Sequence, residues 1–274
     1  MFEEVFISLV IGGFILALLG YYISRLGLST IAFSAAHAAL AGTAISTIIL
    51  NSDPYTLPAI FTLCLGLVLS LVLPRTSIEV LNNLSMMLFS LFNSVALIAI
   101  YLGNVVVLST TRIGGLLWGS PLAVTIDRFI YIIVLTSIFT TYLILFKPKL
   151  DAIVFDKKLA EAEGINVQYY SIAIITFMCI ALVLMLEVVG GFLVFSLIYV
   201  PYIVSVVVTS RADLQLVIAG LFGAITAPLG AFLSLVLDTP IGSTIALTIS
   251  LSAITIYIVK KVVVCFKNLR ETQS

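Results

Sequence analysis

Residues 147–164 read Lys147-Pro148-Lys149-Leu150-Asp151-Ala152-Ile153-Val154-Phe155-Asp156-Lys157-Lys158-Leu159-Ala160-Glu161-Ala162-Glu163-Gly164. This is the longest well-charged stretch of the chain, and a charge-free run flanks it on each side, 129–146 and 164–186. A charge at the bilayer centre costs about 2.5–3.5 kcal/mol or more, so the gaps between charges map the spans. Working outward, the other runs of at least 18 residues are 5–24, 26–52, 54–74, 80–111, 188–210, 214–237 and 239–259. A spanning helix needs about 20 apolar residues. The expected fold is therefore an all-α polytopic membrane protein with about nine transmembrane helices. The run 113–126 is too short to span and holds Gly114, Gly115 and Pro121, so it is expected to be irregular or re-entrant.

Composition agrees. The 274 residues are 62% hydrophobic and 9% charged, and the mean hydropathy is +1.27; a soluble domain is nearer half apolar and about a quarter charged. Zero net charge gives no footprint for nucleic acid. Cys64, Cys179 and Cys265 are widely separated, which suits small buried hydrophobes and not a disulfide framework or zinc cluster. Glu3 and Glu4 stand where a signal peptide carries basic residues, so the first span is expected to be retained. One integral membrane domain, 1–274, accounts for the chain.

The 147–163 loop sets the orientation. Placed in the cytoplasm, it puts Arg25, Arg75, Lys147, Lys149, Lys157, Lys158, Arg211, Lys260, Lys261, Lys267 and Arg270 inside, with Arg112 and Arg128 outside. The positive-inside rule then predicts an outer N-terminus and an inner C-terminus.

Polar groups inside the spans are few. His37, the single histidine, lies mid-span, and Thr30, Ser34, Ala41 and Ala44 share its helical face. That small, weakly polar stripe suits either close helix approach or the lining of a cavity. His37 is thus a ligand or proton carrier on a pathway, or a neutral histidine bonded to a neighbouring helix. Glu187 near a span end is an entrance residue or an interfacial acid. Asn93 is a candidate for bonding across helices. Pro201 and Pro228 interrupt their spans and free backbone carbonyls that line a path or merely kink the helix. Ala219, Gly223, Ala227 and Ala231 recur every four residues, a ladder for tight packing within the chain or between subunits.

Several chemistries lack their residues. None of the seven lysines follows a glycine, so there is no phosphate loop to bind ATP. There is no H-E-x-x-H motif, no pair of intramembrane aspartates and no G-x-S-x-G element. In the 147–164 stretch, Asp156 is a fair N-cap, Lys157 to Glu163 are good helix formers and Gly164 is a fair stop. A short amphipathic helix is expected there, either a solvated loop helix or a docking element for a partner.

Phe155-Asp156-Lys157-Lys158-Leu159-Ala160-Glu161-Ala162-Glu163-Gly164 resembles the coupling-helix segment, F-D-x-x-x-A-x-x-x-G, of the metal-ion permeases of ATP-binding-cassette importers, which take up zinc, manganese and iron. Val188-Val189-Gly190-Gly191-Phe192-Leu193-Val194 with Pro201 resembles that family's V-G-x-L-L-V stretch and later proline. Trp118-Gly119-Ser120-Pro121-Leu122-Ala123-Val124 is similar to its F-G-S-x-L-A-V, Asp238-Thr239-Pro240-Ile241-Gly242-Ser243-Thr244-Ile245 to its D-x-P-x-G-x-x-I, and Ala36-His37-Ala38-Ala39-Leu40-Ala41-Gly42 to its A-H-S-A-L-x-G. The matches keep their order over about 20–260. One position departs: the family carries an Asp four residues before this histidine, and here it is Phe33.

The resemblance implies a type II ABC-importer-like permease in the plasma membrane. It implies a homodimer with the pathway between its copies, separate ATP-binding subunits on the cytoplasmic face and an extracytoplasmic substrate-binding protein. The cargo would be a divalent metal ion met by His37 and Glu187, with Ser34, Pro201 and Pro228 as pathway or hinge residues. Phe155, Asp156, Ala160 and Gly164 would serve coupling. No cofactor is implied to stay bound, and ATP acts only through the partner subunits. Two rivals use the same residues: a proton-coupled secondary transporter with His37 and Glu187 as carriers, and a membrane enzyme with His37 as general base.

Overall fold

A computed structural model describes residues 2–49, 56–72, 77–106, 117–120, 125–191 and 194–271. The regular elements among them are all helical. They are α1 (Phe2–Arg25), α2 (Ser29–Ile49), α3 (Thr56–Val72), α4 (Ile78–Val106), α5 (Ile126–Phe155), α6 (Lys157–Ala162), α7 (Val167–Val189), α8 (Val194–Val208), α9 (Ala212–Leu237) and α10 (Ile241–Glu271). Each long charge-free run carries one helix. Six described segments are long and apolar enough to cross a membrane: Glu3–Arg25, Ile78–Val105, Ile126–Phe155, Val167–Leu186, Ala212–Leu237 and Ile241–Val263. The chain is a multi-pass membrane protein. Gly114, Gly115 and Pro121 of the expected irregular stretch lie outside the described residues.

The core forms around α1 and α7, the most enclosed of the six candidate spans. α1 packs on α9, α8, α5 and α7, while α2 packs on α4, α3 and α7. Between helices in lipid there is little hydrophobic drive, so backbones must come close. They do where glycines meet. A Cβ on Gly13 would lie 2.5 Å from Gly223 O, and one on Gly223 would lie 2.5 Å from Gly13 O and 2.7 Å from the Ala17 methyl. The α9 ladder is therefore internal, with Ala219, Ala227 and Ala231 buried behind Gly223. The opposite face of α9 exposes Leu221, Ile225, Leu229 and Phe232, as a lipid-facing surface would.

Two expectations need correction. The charged stretch from Lys147 is not a loop as far as Asp156, because α5 runs through Pro148 to Phe155. Lys147 bonds Asp151 at 2.6 Å one turn on, and Leu150 and Ile153 are buried; together these hold the helix past a residue that removes one N–H. Of the three cysteines only Cys179 is buried, whereas Cys64 and Cys265 occupy exposed faces of α3 and α10.

Candidate functional site

Two places carry the functional candidates. The first is the centre of α2. The stripe through His37 packs closely on α4. Thr30 Oγ1 donates to Asn82 Oδ1 at 2.6 Å, Ser34 Oγ donates to Ser85 O, and Ala41 and Ala44 join buried clusters with Ala96 and Ala99. Asn82, one turn into α4, thus makes the helix-bridging bond that was expected of Asn93. Small side chains at these positions let α2 and α4 approach.

His37 is 3% exposed and aromatic rings surround it. Its imidazole stacks on Phe195 of α8, with centroids 5.3 Å apart and planes at 10°, and meets the edge of Phe89 of α4 at 4.4 Å. Phe33, one turn back, packs against Phe195 at 4.8 Å and stacks on Tyr199 at 4.8 Å and 14°. His37, Phe195, Phe33 and Tyr199 form one column joining α2 to α8. His37 Nδ1 donates to Phe33 O at 3.1 Å, the carbonyl being able only to accept, which places the proton on Nδ1.

Phe33 thus fills with an aromatic ring the position where the resemblance expects a carboxylate. Among the described residues no three of His, Cys, Asp and Glu gather as a metal-holding group. The Glu187 side chain lies outside the described residues. Pro201 is buried within α8 and Pro228 half-buried within α9, and both helices continue through them.

A second glycine contact borders this region. Gly119 (φ +80°) and Gly190 (φ +99°) meet backbone to backbone: a Cβ on Gly119 would lie 2.7 Å from Val189 C, and one on Gly190 would lie 2.7 Å from Leu117 O. Both need a positive φ that other residues avoid. A Cβ on Gly191 would meet Leu40 Cδ1, three residues after His37, at 2.6 Å. Two stretches read separately in the sequence are therefore one corner of the molecule.

The second place is the α5–α6 turn. Asp156 is extended (φ −155°, ψ 115°) and its carboxylate accepts from Lys158 N at 2.8 Å and from Leu159 N at 3.1 Å, satisfying donors that a helix start leaves open. At the other end Gly164 (φ +83°) donates to Glu161 O at 3.0 Å and Ile165 N to Ala160 O at 2.9 Å, a Schellman stop. The expected helix is present and capped at both ends. It shows two faces. Ala160 is 1% exposed against the core, while Phe155 is 84% and Leu159 50% exposed. Phe155 and Leu159 thus offer apolar surface outward, and Ala160 seats the helix on its own subunit.

Sequence reasoning missed two charged contacts here. Lys157 Nζ donates to Leu26 O, across 131 residues, at 2.6 Å. Lys147 bonds Asp213 at the start of α9 at 2.5 Å. The first had a signal: Lys157 lies three residues before Ala160, on the inward face of a helix. The second depends on tertiary proximity alone.

The sequence profile of the ABC 3 transport family matches residues 1–260. The manganese transport system membrane protein MntC of Listeria monocytogenes is 25% identical over 246 residues, covering 89% of this chain and 85% of that protein. The chelated iron transport system membrane protein YfeC of Yersinia pestis is 26% identical over 246 residues, covering 89% and 81%. In solved structures, a chain of PsaBC from Streptococcus pneumoniae in complex with Fab superposes with a TM-score of 0.76 at 21% identity, covering 94% of this chain and 90% of that one, which shows a shared fold. With the profile spanning nearly its whole length, the chain belongs to the ABC 3 transport family.

Proposed function

We propose that the chain is the membrane-spanning permease subunit of an ATP-binding-cassette importer for a divalent metal ion. The observation that carries this reading is the family match over residues 1–260, to which relatives named for manganese and iron transport are added. Nine spans, with the N-terminus outside and the C-terminus inside, put α6 in the cytoplasm. Separate ATP-binding subunits dock beneath it, each taking Phe155 and Leu159 into a groove. Two copies of the chain enclose the pathway, and an extracytoplasmic binding protein delivers the ion.

Geometry supports the division of labour. Nucleotide-driven closure becomes useful only if the docking element is stiff, and α6 is capped by Asp156 and stopped at Gly164. Cargo must leave as readily as it enters, so a path with few donors suits import better than a deep cage. His37 is its neutral donor on α2 and Glu187 its candidate acid. The test is ATP hydrolysis by the purified complex of this chain with its ATP-binding subunits. Metal-loaded binding protein should stimulate it. An ATP-binding subunit that does not associate with the chain would overturn the reading, and uptake driven by a proton gradient alone would replace it with a secondary transporter.

A further inference from the structure

The turn between α1 and α2 is held from two sides. α1 ends in a Schellman motif: Gly27 (φ +70°) donates to Ser24 O at 3.2 Å and Leu28 N to Ile23 O at 2.9 Å. Leu26 and Leu28 are buried, and α2 starts at Ser29, so no slack separates the helices. The motif uses the carbonyls of Ile23 and Ser24, and the carbonyl of Leu26 is taken by Lys157 Nζ from α6 at 2.6 Å. A lysine there also meets the negative end of the α1 dipole. Burial pushes the Lys157 ammonium below the ordinary lysine range, while Glu161 acts in the opposite direction. Three residues on from Leu26, Tyr199 Oη donates to Ser29 O at 2.5 Å. The same Tyr199 ring begins the column that runs through Phe33 and Phe195 to His37.

We propose that Lys157 and Tyr199 are positioning residues of the transport cycle: they grip the α1–α2 turn from the coupling helix and from α8, so that movement of α6 displaces α2 and the aromatic column holding His37. The inference rests on the importer reading above. The link is a contiguous set of short bonds through a rigid turn. A packed column of rings responds to displacement by changing between discrete arrangements rather than by bending continuously. Neither residue touches the ion; both act through α2.

The experiment uses the full complex in sealed vesicles, with the ATP-binding subunits inside the reaction and the binding protein on the entry side, and with radiolabelled Mn2+ or Fe2+ as probe. Ions taken up per ATP hydrolysed is the quantity read. Lys157→Met keeps the buried stem and removes the bond; Tyr199→Phe keeps the ring stack and removes the other bond. Each is expected to lower ions per ATP several-fold while the ATP-binding subunits stay bound, and Lys157→Arg should recover most of the loss. The double variant should fall no further than the worse single, as two grips on one element would give. Wild-type ions per ATP in both single variants would overturn the proposal. So would a parallel fall of uptake and hydrolysis at an unchanged ratio, which is the mark of a merely structural role. A wild-type complex that moves neither ion with ATP would overturn the importer reading, and this inference with it.

Discussion

Gly20 of α1 lies against Ile198 of α8 so closely that a Cβ there would overlap Ile198 O and lie 2.7 Å from its carbonyl carbon and 3.1 Å from its Cα. Ordinary carbon contacts are about 3.5–4.0 Å, so Gly20→Ala forces the two backbones apart by about 1 Å. No rotamer change relieves a backbone clash. Overpacking costs about 1–3 kcal/mol, here at the upper end, and alanine returns about 1 kcal/mol of helix propensity. The expected net destabilisation is about 2 kcal/mol. Gly12→Ala is the internal control. Its Cβ would overlap only Cε and Sδ of Met185, the far end of a flexible side chain, so a smaller clash is offset by the same propensity gain and the expected net change is near zero. Chemical unfolding in detergent, followed by the fluorescence of Trp118, ranks the two. Gly20→Ala should also lose metal uptake, because Ile198 lies between Phe195 and Tyr199 of the His37 column. Gly20→Ala as stable as the wild type, or Gly12→Ala the more damaging of the two, would refute this account of how the helices meet.

Ala160→Arg places a cation where α6 is 1% exposed; it should unseat α6 and abolish stimulation of the ATP-binding subunits, and retained stimulation would count against the proposed coupling role. Gly164→Ala has nothing within 4 Å of its new methyl but must hold φ +83°, so a cost of about 1–2 kcal/mol confined to the helix stop is expected, readable as faster amide exchange over 160–165 with the bundle unchanged. Lys147→Met removes ion pairs whose side chains are 39–72% exposed; solvent screening keeps the loss of stability small, and smaller still in high salt, and a large, salt-independent loss would contradict that. Imidazole favours iron and zinc, whereas carboxylate favours manganese, so Phe33→Asp should shift uptake competition toward Mn2+, and an unshifted ratio would exclude position 33 from the ion's path.

Much of the architecture was legible because charge is so costly in lipid that its absence marks helices: each long charge-free run holds one. The cap and stop of α6 were legible too, since Asp156 and Gly164 act on their own nearest backbone groups. What the sequence concealed depends on distant partners. Pro148 looks like a breaker, yet α5 passes through it because the Lys147–Asp151 pair and the buried Leu150 and Ile153 hold the turn. The α9 ladder could have faced a second subunit, and only the approach of Gly13 to Gly223 assigns it to α1. The stripe of Thr30, Ser34, Ala41 and Ala44 allowed a cavity or a close contact, and α4 makes it a contact. Phe33 read as the loss of a donor; as one member of a four-ring column it has a packing role of its own, which needs Phe195 and Tyr199 from a helix more than 160 positions away.

A permease of this family should support ATP-driven entry of a metal ion. The most direct measurement is accumulation of Mn2+ and Fe2+ in sealed vesicles holding the chain and its ATP-binding subunits, with the binding protein outside, compared between wild type and His37→Ala. Accumulation should require ATP and be lost in His37→Ala. Accumulation without ATP, or uptake in His37→Ala equal to the wild type, would contradict this.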